Sequence, residues 1–318
     1  MIETYGLKEK LTHARAELDT YMQELAAKDP KFYLISADVG RAGMPEFIKK
    51  FPKQYFNSGI AEISAMDVAS GMALEGMHTC VYGMSVFNVL RSGESIRTNM
   101  CYQNSPVTVI GCNTGLCQGP CGSTHYAMED LAILRTFPKL TVCVPCDADQ
   151  AVKAFKAAME LDAPVYIRLG NGRNESAVYK DTDYDFQFGK GITCHEGTDA
   201  TIIGTGMMVP YALEAAKELA KEGISVRVID MHTIKPIDAE LVCKAAQETG
   251  KIVTIEDAFI IGGLGGAVCE TVAESGIPCK VKRLGIPDIF PGFGSFQEQM
   301  DNLGFGITAM KEAIKAMM

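Results

Sequence analysis

Leu140-Thr141-Val142-Cys143-Val144, a helical stretch from about Asp149 to Leu161, and Val165-Tyr166-Ile167-Arg168-Leu169 follow one another in the chain, and their reading decides the fold. Two short apolar runs rich in β-branched residues enclose a helix long enough to carry the chain back, so the runs lie side by side in parallel. Working outward, Phe32-Tyr33-Leu34-Ile35-Ser36-Ala37 and Val107-Thr108-Val109-Ile110-Gly111 have the same character. Helical patterns lie between the runs at about Leu7 to Ala27, Ile63 to Glu75 and Val89 to Tyr102. Strands that lack polar alternation are buried on both faces, so the sequence predicts an α/β fold built on a parallel sheet with helices on both sides.

From Asn171 to Lys190 the apolar density falls and Asn, Asp, Gly and Lys take over, as in a linker. A second alternation follows. Ala200-Thr-Ile-Ile-Gly204, Ser225-Val-Arg-Val-Ile229, Lys251-Ile-Val-Thr-Ile255 and Val281-Lys-Arg-Leu284 read as strands, with helices near Val209 to Lys221, Ala239 to Thr249 and Gly266 to Ser275. The expectation is two α/β domains in series, residues 1–175 and 191–318, joined by a linker at 176–190. No short internal repeat is visible.

The composition agrees with a globular enzyme: 318 residues, 47% hydrophobic and 22% charged, are enough for two cores. A net charge of -9 without a clustered basic run argues against nucleic acid. No apolar stretch has the length of a membrane span, and Met1-Ile2-Glu3-Thr4-Tyr5 is not the start of a signal peptide, so a cytoplasmic location is expected. Eleven cysteines in a chain this long do not form a disulfide scaffold. Cys143 and Cys146 sit in an apolar strand pattern, and Cys112, Cys117 and Cys121 have only His125 close in sequence, so packing is the better reading and no metal ligands are expected in this chain.

In open parallel sheets, ligands collect at the carboxyl ends of the strands. That directs attention to Asp38, to the loop from Gly111 to His125, to Pro145–Asp147 and to Arg168–Gly170. The segment Gly59-Ile60-Ala61-Glu62 opens a helix, where an acid is favoured by the macrodipole and needs no further role. The wider pattern is less ordinary. Gly59 to Glu62, Ser95-Ile96-Arg97, Gly122-Ser123-Thr124-His125, Leu134-Arg135-Thr136-Phe137-Pro138, Pro145-Cys146-Asp147 and Tyr166-Ile167-Arg168-Leu169-Gly170 occur in that order. In this order they resemble the pyrimidine-binding domain of transketolases. Ile255-Glu256-Asp257, Gly262-Gly263-Leu264-Gly265 and Gly285-Ile286-Pro287-Asp288 extend the resemblance to the transketolase carboxyl-terminal domain.

The resemblance implies thiamine diphosphate as cofactor. Glu62 matches the glutamate that hydrogen-bonds the aminopyrimidine ring and so lets the cofactor's exocyclic nitrogen take up the thiazolium proton. Asp38 matches an acid beside cofactor and substrate, and His125 a substrate-facing histidine. Arg15 and Arg168 match arginines that grip a substrate phosphate, with Arg91 assisting. Departures from the family pattern fall at Cys121, where an Asp that contacts a substrate hydroxyl is usual, and at Asn113, where a phosphate-binding histidine is usual. The two changes imply a shifted substrate preference. Asn88 occupies the expected place of the aromatic that stacks on the aminopyrimidine, so the neighbouring Phe87 is the candidate.

Full-length transketolases bind magnesium and the diphosphate through a Gly-Asp-Gly segment, which this sequence lacks. The resemblance therefore implies half of a split transketolase. A separate N-terminal subunit would hold most of the Mg2+ site, two copies of each chain would form a heterotetramer, and this chain would also self-associate. The expected reaction moves a two-carbon ketol unit between sugar-phosphate-like substrates. Two rivals share the fold: the beta subunit of a 2-oxo acid dehydrogenase decarboxylase, and a non-catalytic interaction subunit.

Overall fold

The computed structural model describes residues 2–318, which form two mainly parallel sheets. Across the first, the spatial order is Thr233–Lys235, Thr141–Cys143, Val165–Arg168, Val107–Cys112, His78–Met84, Phe32–Ser36 and Tyr55–Asn57. Every neighbouring pair is parallel except Thr233–Lys235, which comes from the second half of the chain and runs antiparallel along Thr141–Cys143. Successive side chains point to opposite faces of a strand, so Leu34 and Ile110 meet Leu18, Met22 and Phe155 on one side. On the other side, Ile35 and Val109 meet Met66, Ile96 and Met100. Val107–Cys112 is buried at every position, as its continuous apolar character requires.

The second sheet has the order Lys280–Ile286, Lys251–Phe259, Ala200–Gly204, Val226–Asp230, Ile192–His195, with only the last strand antiparallel. The helices Val209–Ala220 and Ile307–Lys315 place Leu219 and Ile314 against Ile202 and Val228 on one face. Val242 and Val268 cover Ile203 and Ile252 on the other. That second cluster runs without a break into Val142, Val144 and Leu131, so one apolar core crosses the domain boundary. No helix among the described residues is long and apolar enough to cross a membrane.

Three expectations change. The first helix begins at Ala14, and the preceding Leu11–Thr12 pairs antiparallel with Glu175–Ser176. The stretch read as a linker is therefore pinned down: Val178 and Tyr179 are buried, Tyr5 N–H donates to the Val178 carbonyl at 2.9 Å, and Val178 N–H donates to Asp147 Oδ2 at 2.9 Å. The helix read at Val89–Tyr102 is three pieces, Ser85–Leu90, Gly93–Ser95 and a π-helical Ile96–Tyr102.

Asp230 lies inside the contact between the domains. It accepts hydrogen bonds from Tyr179 Oη at 2.6 Å and Gln150 Nε2 at 2.8 Å, yet its Oδ1 is buried without a hydrogen-bond partner among the described residues. Burial outweighs these bonds and pushes its carboxyl up to about 6. The folded chain then binds a proton that the unfolded chain has already released, so this residue's contribution falls as pH rises from about 4 through 6. Relative to Asp230→Asn, the wild-type melting temperature should decline between pH 5 and pH 7. Parallel curves for the two proteins would show that the residue is ionised throughout.

Candidate functional site

The parallel strands end on one edge of the first sheet, and the loops there carry most of the expected site residues. Glu62 is the first residue of the helix Glu62–Leu74 and is 3% exposed. Its approach loop is held by Gly59, at φ +76°, whose N–H donates to Asn57 Oδ1 at 2.8 Å. The Gly59 carbonyl accepts the Asp38 N–H at 2.8 Å, which ties the end of strand Phe32–Ser36 to the Glu62 loop, while the Asp38 side chain stays exposed.

Glu62 makes one side-chain hydrogen bond among the described residues, accepting from Arg91 Nη1 at 2.9 Å. The Arg91 guanidinium lies over the Phe87 ring, 4.7 Å from its centroid. Phe87 in turn meets the His125 ring edge to face at 5.5 Å. His125 Nδ1 is 2.9 Å from Thr124 Oγ1, at the end of the short helical turn Gly119–Thr124. A carboxylate, a guanidinium, a phenyl ring and an imidazole thus form one chain of contacts drawn from three separate segments of the chain. Cys121 is exposed on the same turn as His125. Gly122 shapes that turn: its φ is +68° and a Cβ there would fall 2.6 Å from the Phe293 ring.

Asn88 does not face this cluster. It is 1% exposed and packs on Gly83, where a Cβ would come within 2.9 Å of its amide, and both amide atoms are buried without partners among the described residues. The half-buried Phe87 is the ring that reaches the cluster. An orphaned buried amide costs about 1–3 kcal/mol. Asn88→Leu, with the same branching and number of heavy atoms, should therefore raise stability by about 1 kcal/mol in urea unfolding, and a loss of stability would mean that the amide is satisfied or the site has no room for the bulkier methyls.

Arg15 and Asn113 form a second group. Arg15 Nη2 donates to Asn113 Oδ1 at 2.5 Å, and Asn113 is held in the left-handed region, φ 56°, by its own N–H on the Gly170 carbonyl at 2.7 Å. The Arg15 N–H bonds to Gly172, whose N–H is held at 2.8 Å by Glu175 Oε1. Beside this group is a cavity of about 280 Å³ lined by Arg173, Asn171, Glu175, Cys117, Met207 and Tyr211. Burial pushes the Glu175 carboxyl above its usual range and the Cys117 thiol well above its own. Arg173 and Glu175 were hidden from sequence reading because Asn171-Gly-Arg-Asn-Glu175 has the composition of a linker.

The expectation for Arg168 is corrected. Its side chain is 1% exposed and heavily engaged: Nε donates to Asp130 Oδ2 at 2.9 Å, Nη1 to Asp257 Oδ1 at 2.6 Å, and Nη2 to the carbonyls of Ala127 and Asp257. Burial alone would pull its pKa down, but the two carboxylates drive it up. With four of its five N–H donors taken and its side chain buried, it joins the two domains and does not face a substrate phosphate.

Among the described residues no three His, Cys, Asp or Glu side chains cluster as metal ligands. The buried Glu62 carboxylate, with a single partner and an aromatic face nearby, fits a planar nitrogen heterocycle that offers a hydrogen bond.

Residues 12–174 match the family model of the transketolase pyrimidine-binding domain, and residues 189–310 match that of the transketolase C-terminal domain. The chain is 39% identical, over 83% of its length and 84% of the relative's, to an apulose-4-phosphate transketolase subunit of Phocaeicola vulgatus. It is 36% identical to the 6-deoxy-6-sulfo-D-fructose transketolase subunit SqwH of Clostridium sp. (strain MSTE9), over 94% and 92% of the two chains. A solved split-gene transketolase, described as an inactive beta4 tetramer, superposes with a TM-score of 0.88 at 37% identity and covers 96% of this chain and 98% of its own. With both domain models matched in order over most of its length, this chain belongs to the transketolase family and has the layout of the carboxyl-terminal subunit of a split transketolase.

Proposed function

We propose that this chain is the cofactor-activating subunit of a two-chain, thiamine-diphosphate-dependent transketolase that transfers a two-carbon ketol unit between sugar-phosphate-like substrates. The observation that carries the reading is Glu62: a buried carboxylate at a helix start, flanked by Phe87 and Arg91, on the strand-end edge of the pyrimidine-binding domain. When bound, the cofactor supplies the electron sink for ketol transfer. Glu62 holds a proton between its carboxylate and the aminopyrimidine, Phe87 offers the ring a flat apolar surface, and Asp38 lies at the same edge. His125 handles protons on the substrate. Arg15, steered by Asn113, receives the anionic end of the substrate, with Arg173 at the adjoining cavity. Cys121, in place of a carboxylate, selects against donors that need a strong acceptor at that point.

The relatives named as subunits, and the solved relative described as inactive in its beta4 form, support a partner subunit that holds Mg2+ and the diphosphate. So does the surface around Glu62, where Ile60 is 81% and Ile63 49% exposed, as suits a face covered by another chain. Reconstitution tests the reading. The purified chain, its partner, thiamine diphosphate and Mg2+ should together carry out ketol transfer, and omission of any one should abolish it. Full activity without this chain would refute the assignment.

A further inference from the structure

The Arg91 guanidinium makes two contacts at once. It donates to Glu62 Oε2 at 2.9 Å, and it lies over Phe87, 4.7 Å from the ring centroid. These are the two contacts that the proposed function assigns to the aminopyrimidine: a hydrogen bond into a buried carboxylate and a face on an aromatic ring. A guanidinium suits both, since it is planar, carries N–H donors in its plane and stacks on aromatic faces. We propose that Arg91 is a positioning residue that acts as a latch, holding the place of the cofactor's aminopyrimidine against Glu62 and Phe87 until the cofactor displaces it.

The geometry allows the exchange. The Glu62 side chain is 4% exposed, so it stays where the helix start puts it, whereas that of Arg91 is 51% exposed and sits just beyond the helix Ser85–Leu90. Its long stem has room to swing into solvent. With the latch closed, the buried carboxylate has a partner and Phe87 is covered, so the site neither collapses nor leaves an orphaned charge. The latch also sets the cofactor's apparent affinity, because only open molecules bind: a site closed in nine molecules of ten binds about tenfold more weakly than its open form.

The inference rests on the proposed contact between Glu62 and the cofactor, and a double-mutant cycle on the assembled two-chain complex separates the two. Thiamine diphosphate is titrated calorimetrically at saturating Mg2+. Arg91→Gln should bind it about three- to tenfold more tightly than wild type, and Arg91→Lys, which keeps a charge but not the planar fork, should lie between. In a Glu62→Gln background the same Arg91 substitution should change affinity by less than about twofold. A merely structural arginine would not tighten binding when removed. Unchanged or weaker binding by both Arg91 variants would overturn the latch, and if Glu62→Gln still abolished ketol transfer the functional reading would stand. Ketol transfer that survives Glu62→Gln would remove both.

Discussion

Glu62→Gln should lower ketol transfer by the reconstituted enzyme about 10²- to 10⁴-fold, the range that a positioned proton-transfer group contributes. Glutamine keeps the shape of the side chain and can hydrogen-bond a ring nitrogen, so the cofactor still has a place to bind. What it cannot do is accept and return a proton. The substitution should leave the fold intact, because it removes a buried charge whose one partner, Arg91, has half of its side chain in solvent. A melting temperature within a few degrees of wild type, with activity lost, would separate the chemical role from a structural one. If activity fell less than about fivefold, the catalytic centre would lie elsewhere.

Arg168→Met should be the most damaging single substitution to stability, at about 3–5 kcal/mol, because it leaves buried carboxylates without their cation. The two acids would not suffer equally. Asp130 retains Tyr166 Oη at 2.7 Å and Ser85 Oγ at 3.0 Å on the same oxygen, and the Leu131 N–H on the other. Asp257, already carrying one buried oxygen without a partner, loses the only side-chain bond it has among the described residues. Asp257→Asn added to Arg168→Met should therefore restore part of the loss, which Asp130→Asn should not match. Urea unfolding of the three proteins measures this directly, and a cost below about 1 kcal/mol for Arg168→Met would show that the network contributes little.

Arg168 also shows where sequence reading stops. An arginine ending an apolar strand needs either a ligand or a buried partner, and the resemblance pointed to the ligand. The partners, Asp130 and Asp257, lie 38 and 89 residues away, so only the packed domains reveal them. Central strands such as Val107–Cys112 were legible because burial on both faces writes itself as an unbroken apolar run. His78–Met84 was not, since it opens on His and Thr, contains Gly83 and passes into the helix Ser85–Leu90 with no breaker between. The antiparallel edge strand Thr233–Lys235 depends on pairing across the domains and leaves no local signal.

The cluster around Glu62 was legible in part, through ordered short segments rather than through any one residue. Phe87 and His125 both stand out in the sequence, but their contact with each other and with Arg91 needed the fold. Arg91, expected to assist at the substrate, donates to Glu62 from the end of the helix Ser85–Leu90.

Proton transfer at Glu62 is the step on which the proposed chemistry depends, and it can be followed without sugar substrates. In the complex with partner subunit, Mg2+ and bound thiamine diphosphate, the cofactor's reactive thiazolium proton exchanges with deuterium at a rate that quenched-flow NMR reads. Exchange should be slower by about 10²-fold or more in Glu62→Gln at saturating cofactor. Equal exchange in the two proteins would contradict the role given to Glu62.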